Sequence, residues 1–266
     1  MRFLPIIFFG SLGIAMVSAA ILSVDRAGII DIPSPIRFLH EQQQEVSLPE
    51  AQTYTPQTAF PAAGKQEDDA AQTIPRDTLP IEINLSVPFT SQAPHQNWEM
   101  PWQEYCEEAS VLMAGHYFLG KNIPNANYAD QELHRIQAFE EERLGYYKDT
   151  TAEETAMVLR EFYGVANVVV EEASIERMRQ AVAQGKLVLV PAAGRQLGNP
   201  YFTQPGPLYH MLVIKGYTKD GRFITNDPGT RRGENYLYNP EVILNAAHDW
   251  NDGDVEHGAK VMIVAG

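Results

Sequence analysis

Three residues have the types and surroundings that suit covalent catalysis: the chain's only cysteine, Cys106, and the distant pair His210 and Asp227. A thiol attacks a carbonyl as the thiolate. A helix N-terminus and a nearby histidine both favour that form, bringing a cysteine pKa from about 8.5 into the range of roughly 3.5 to 7.5. Cys106 follows closely on Pro101, a residue that suits a helix start, so the first condition is met if Pro101 marks that start. Glu107 and Glu108 come next. Carboxylates suit a helix N-terminus but oppose the charge of a neighbouring thiolate. A lone cysteine is more often a small buried hydrophobe, so its partners must decide the matter.

The partner histidine has to come from elsewhere in the chain. His116 is nearly three turns along the same predicted helix, out of reach of the thiol. His40 and His95 fall in a linker and an early loop, His134 on a charged helix face, and His248 and His257 in a polar C-terminal segment. His210 opens the apolar strand H-M-L-V-I-K-G-Y after a Gly- and Pro-containing loop, which places it at the rim of a cleft. A catalytic imidazole needs an orienting group, expected on its Nδ1 side, to hold the tautomer that faces the thiol. Asp227 ends the next predicted strand, F-I-T-N-D-P-G-T. Pairing the two strands as a hairpin brings Asp227 beside His210. An oxyanion site would combine the Cys106 N–H with a side-chain amide, for which Gln92 and Gln103 are both candidates.

V-P-F-T-S-Q, a cysteine opening a helix, a strand-initial H-M-L-V-I-K-G-Y and an N-D-P-G turn together resemble the family 39-like cysteine peptidases. These are relatives of the bacteriocin-leader (double-glycine) peptidases in the papain-like superfamily. The resemblance runs from about residue 83 to 264. It implies Cys106 as nucleophile, His210 as general base and acid, Asp227 as orienting residue and Gln92 as oxyanion donor, with Gln103 as the competitor nearer to Cys106. Many relatives have Cys-Gly where this chain has Cys106-Glu107, which implies a cleft unlike the double-glycine type. No transporter or ATPase segment follows the domain, so processing of a leader during export is not expected.

Helical periodicity is read over residues 104–119, 130–144, 151–163 and 174–184, with a short late helix at 240–247. Thr151 and Glu154 have capping-box spacing, and Gly185 suits a helix end. Strands are read at 81–85, 165–170, 187–190, 211–216, 222–226 and 260–264. Helices first and an antiparallel sheet afterwards give an α+β class. In papain-like terms, a helical half carries the nucleophile and a sheet carries the histidine and aspartate.

The formal charge of −14 disfavours nucleic acid and anionic membrane surfaces as partners. One cysteine excludes an internal disulfide and a cysteine zinc cluster, and no metal or other cofactor is expected. The acidic stretch around Gly253 reads as a polar turn rather than a calcium loop. The uncharged apolar run 3–24 is long enough to span a bilayer, and Ser18-Ala19-Ala20 offers a signal-peptide cleavage site. Residues 25–80 are rich in Pro and Gln and read as a disordered tether, leaving 81–266 as the folded domain. The expectation is a membrane-tethered or secreted extracytoplasmic cysteine hydrolase that cleaves peptide or isopeptide bonds in a peptide or protein substrate. An acyltransferase or amidase with the same triad, or a non-catalytic binding module on the same fold, are the alternatives.

Overall fold

The computed structural model describes residues 47–53 and 79–266; the apolar run 3–24 and most of the tether lie outside the described residues. Eight strands form one sheet: β1 (Ala51–Gln52), β2 (Ile83–Leu85), β3 (Val168–Glu172), β4 (Leu187–Ala193), β5 (Tyr209–Tyr217), β6 (Phe223–Asn226), β7 (Tyr236–Tyr238) and β8 (Val261–Ala265). The order along its main path is β1-β2-β5-β4-β8-β3, with β6 and then β7 branching from β5. All pairings are antiparallel except β1 with β2. Five helices accompany it among the described residues: α1 (Cys106–Phe118), α2 (Ala126–Leu144), α3 (Ala152–Glu161), α4 (Ile175–Ala183) and α5 (Pro240–Ala246).

β5 is the centre of the architecture. It pairs with β4 over Tyr209–Ile214, with β2 at Gly216 and Tyr217, and with β6 from Val213 to Tyr217. All nine of its residues are buried, which explains why H-M-L-V-I-K-G-Y reads as a continuous apolar run and not as an alternating one. α1 packs across β5 and is flanked by α2 and α3. Every residue of α1 from Cys106 to Tyr117 is buried, as expected of a helix enclosed on all sides. Leu112, Leu133, Leu159, Leu189 and Leu212 are fully buried where these layers meet, each stabilising the fold by about 1.5–3 kcal/mol relative to exposure.

Several boundaries differ from the sequence expectation for identifiable reasons. α1 starts at Cys106 because a 3-10 turn, Trp102–Glu104, occupies the residues after Pro101. α2 begins at Ala126, where the Asn125 side chain accepts a hydrogen bond from the Tyr128 N–H at 3.0 Å. The Thr151–Glu154 capping box is formed at the start of α3. Two residues of the expected tether, Ala51 and Gln52, lie parallel to β2 at the sheet edge, where Ser86 N–H donates to Gln52 O at 2.7 Å.

Candidate active site

Cys106 is the first residue of α1, preceded by Tyr105, which makes no side-chain cap. The N–H groups of this first turn have no intrahelical acceptor and face the region of the thiol. Gln92 fixes the approach to the helix. Its Nε2 donates to Trp102 O at 3.0 Å and to Gln103 O at 2.9 Å, so the buried carboxamide braces the turn that ends at the nucleophile. The Gln103 side chain lies exposed and contacts Met100 Sδ. The tryptophans divide their roles. Trp98 lines the cleft, whereas Trp102 anchors α2 through a 2.6 Å hydrogen bond from Nε1 to Asp130 Oδ1.

The partner pair comes from the β5–β6 hairpin. The pairing of Val213 with Asn226 leaves Asp227 just past the end of the ladder, beside the start of β5. His210 Nε2 and Asp227 Oδ1 are 2.8 Å apart, both residues being buried. The expectation that the carboxylate would hold Nδ1 is therefore corrected. Asp227, just past the end of β6, meets Nε2, so Nδ1 is the ring nitrogen not bound to the carboxylate.

Asp227 accepts three further hydrogen bonds: from Gly229 N–H at 3.0 Å on Oδ1, and from Asn199 Nδ2 at 3.0 Å and Tyr238 OH at 2.7 Å on Oδ2. Burial alone would raise the pKa of this carboxyl. The His210 interaction and the Tyr238 and Asn199 hydrogen bonds outweigh it and hold Asp227 below the usual carboxylate range. Asn199 and Tyr238 were not singled out in the sequence. Tyr238 lies in a three-residue strand with no strong signal, and Asn199 in a long loop. Phe202 packs its edge against the imidazole, with ring centroids 5.2 Å apart. Gly229 sits so close to both rings that a Cβ there would fall 2.8 Å from His210 Cε1 and from Phe202 Cε1, so only glycine fits.

α1 and the hairpin meet at Met211, the residue after His210. Ser110 Oγ donates to Met211 O at 3.2 Å, and the Met211 backbone hydrogen-bonds the Cys106 sulfur. Cys106, His210, Gln92 and Gln103 line one cleft of about 900 Å³, whose walls also include Trp98, Tyr201, Phe202 and Tyr209. His40 lies outside the described residues. His116 is buried between Leu112 O and Tyr128 OH.

The family model described as the Peptidase_C39 like family matches residues 84–252. The chain belongs to this family. It is a cysteine-type peptidase by that membership. No curated protein matches it. Among solved structures, one described as a C39-like peptidase from Bacillus anthracis is 16% identical, with TM-score 0.45, over 70% of this chain and 97% of that one. A prointerpain A fragment from Prevotella intermedia is 14% identical, with TM-score 0.35, over 52% of this chain and 41% of that one.

In this C39-like peptidase Cys106 is followed by two buried glutamates, Glu107 and Glu108. The Cys106 thiol donates to Glu107 Oε2 at 2.9 Å, and Glu107 Oε1 accepts from Thr150 N–H at 3.1 Å. Burial, then the Glu107 charge and this hydrogen bond, push the thiol pKa well above its usual value, while the Met211 backbone pulls it down. Burial pushes Glu107 itself up to about 8. Below that pH the carboxyl is mostly neutral, so its opposition to a thiolate is switched off and its O–H becomes able to donate to sulfur. Glu108 and Glu140 lie against each other deeper in the interior, with no other hydrogen-bond partner among the described residues.

Proposed function

We propose that this peptidase cleaves peptide or isopeptide bonds through an acyl-enzyme on Cys106. His210 Nδ1 takes the thiol proton, the thiolate attacks the scissile carbonyl, and a tetrahedral oxyanion forms. Collapse expels the amine, protonated by His210, and leaves a thioester. Water activated by the same imidazole then releases the acid and the free thiol. Asp227 keeps the proton on Nε2 and stabilises the imidazolium. The Cys106 N–H and the Gln92 amide are the oxyanion donors; both Gln92 N–H groups are engaged by Trp102 O and Gln103 O, so one of these bonds is exchanged for the oxyanion when it forms. The observation that carries this reading is that Cys106 and His210 line one cleft while the far nitrogen of His210 is held by a buried carboxylate.

The test is labelling and turnover in parallel. Wild type is expected to react with a peptide-derived electrophile far faster than free cysteine does and to hydrolyse protein substrates. Cys106→Ala should lose both while keeping its melting temperature. Labelling no faster than a free thiol, with no hydrolysis, would overturn the mechanism in favour of an inert binding module.

The reading extends to location. The apolar run 3–24 and the Pro- and Gln-rich segment after it support a domain held outside the cytoplasm on an uncleaved anchor. Among the described residues no helix is long and apolar enough to cross a membrane. The full-length protein is expected to stay with membranes through alkaline carbonate washing and to be digested by protease added to intact spheroplasts. Release by carbonate would rule out the anchor, and resistance in the spheroplasts would rule out the orientation.

A further inference from the structure

The cleft is lined by two acidic and two basic side chains that come from different parts of the fold. Glu104 stands in the 3-10 turn just before Cys106, and Asp149 precedes Thr150, whose N–H is bound to Glu107. Both line the cleft and are tied to Cys106 through these neighbours. Arg231 and Arg232 also line it, and they come from the loop after Asp227, the residue bound to His210. In a chain with a formal charge of −14, two adjacent arginines at the mouth of a cleft stand out.

Each arginine is oriented yet unneutralised. Arg231 Nη1 donates to Gln96 Oε1 at 2.9 Å, and the Arg232 guanidinium lies over the Tyr201 ring, 4.8 Å from its centroid. Neither makes an ion pair with a described residue. Stacking on an aromatic face leaves the edge of a guanidinium, with its N–H fork, open to a carboxylate. Glu104 and Asp149 likewise make no ion pair with a described residue. Burial, and then the charge of Glu104, raise the Asp149 carboxyl to about 6, with Lys148 offsetting this only partly. A cationic group placed between the two carboxylates would relieve that repulsion.

We propose that the cleft selects bipolar peptides: a cationic group of the substrate against Glu104 and Asp149, and a substrate carboxylate against Arg231 and Arg232, on opposite sides of the bond that is cut. This rests on the peptidase reading above and names its substrate class. The cation is an ammonium or guanidinium. The carboxylate belongs to an acidic side chain or to a free C-terminus, two sources with the same chemistry. A cleft of about 900 Å³ holds a few residues, so both charges fall within a short peptide.

Six peptides of one length test it: Lys and Glu flanking the scissile bond in either order, the better of these with Lys alone or Glu alone replaced by Gln, and both replaced by Gln with a free or an amidated C-terminus. One order of Lys and Glu is expected to exceed the Gln peptide in kcat/KM by roughly tenfold per charge, an effect of the size of a partly desolvated ion pair. A free C-terminus replacing Glu at equal rate assigns the carboxylate to the chain end; loss of the preference on its amidation agrees. The Arg231→Gln, Arg232→Gln double variant should bring the Glu-to-Gln ratio toward one, and Arg231→Glu, Arg232→Glu should invert it. Glu104→Gln with Asp149→Asn should do the same for the Lys-to-Gln ratio. Cleavage of all peptides at one rate overturns the charge selection while leaving the peptidase reading intact. Calorimetric binding of the same peptides to Cys106→Ala separates the two failures. Charge-dependent binding without turnover by wild type keeps the selection and rejects hydrolysis, and absence of both rejects the proposal.

Discussion

An Asp227→Asn enzyme is expected to lose about three orders of magnitude in kcat, together with measurable stability. The equivalent exchange in a serine protease triad costs about 10⁴ through the wrong imidazole tautomer. The arrangement here adds a second reason. Asp227 accepts two donors on each oxygen, His210 Nε2 and Gly229 N–H on one, Asn199 Nδ2 and Tyr238 OH on the other. Asparagine has one acceptor oxygen and one NH2 group, so either rotamer sets its donor against two existing donors. With the NH2 toward His210, the ring must flip its proton to Nδ1, the atom that has to receive the thiol proton. With the NH2 toward Tyr238 and Asn199, two buried donors lose their acceptor, at about 1–3 kcal/mol each. Single-turnover kinetics and thermal melting read both effects. A variant with near-wild-type kcat would show that the imidazole is oriented by something other than Asp227.

The second large effect concerns pH. Glu107, Glu108 and Glu140 are buried, and burial raises the pKa of each, to about 8 for Glu107 and well above the ordinary value for the other two. The unfolded chain releases these protons near pH 4.5, whereas the native protein keeps them. Between those limits the native state binds more protons, so stability must fall as pH rises. The contribution of these carboxyls is fully present below about pH 4.5 and is lost progressively up to and beyond pH 8. Asp227, whose pKa is lowered, acts in the opposite sense but only in stronger acid. The melting temperature is therefore expected to drop by on the order of 10 °C from pH 5 to pH 8.5. Glu140→Gln should flatten that slope, because an amide needs no retained proton to pair with Glu108. A melting temperature that is constant or rises across this range would contradict the burial of neutral carboxyls. Glu107 ties the same titration to catalysis, since its ionisation sets a negative charge 2.9 Å from the sulfur.

The sequence shows the parts of the site that depend on local pattern. Cys106 near a helix start, His210 at a loop–strand junction and Asp227 before Pro228-Gly229 each have a local signal, and the hairpin spacing links the last two. The Thr151–Glu154 box is legible for the same reason. What could not be read depends on distant surfaces meeting. Glu107 and Glu108 look like solvated first-turn acids until α2 and the loop at Thr150 close over them. The choice of Nε2 over Nδ1 depends on the direction from which Asp227 arrives, and Asn199 and Tyr238 reach that carboxylate from elements with weak periodicity. β1 and β7, at two and three residues, are too short to show alternation at all.

Cys106 and His210 lie more than a hundred residues apart and come to one cleft only because α1 packs on β5. Emerging from the ribosome, the chain presents Cys106 long before His210 and the hairpin that holds its aspartate have been made. The thiol is then an ordinary one without a base. A pair assembled this way is complete only in the folded domain, so a nascent or truncated copy that lacks the hairpin holds the thiol without the imidazole.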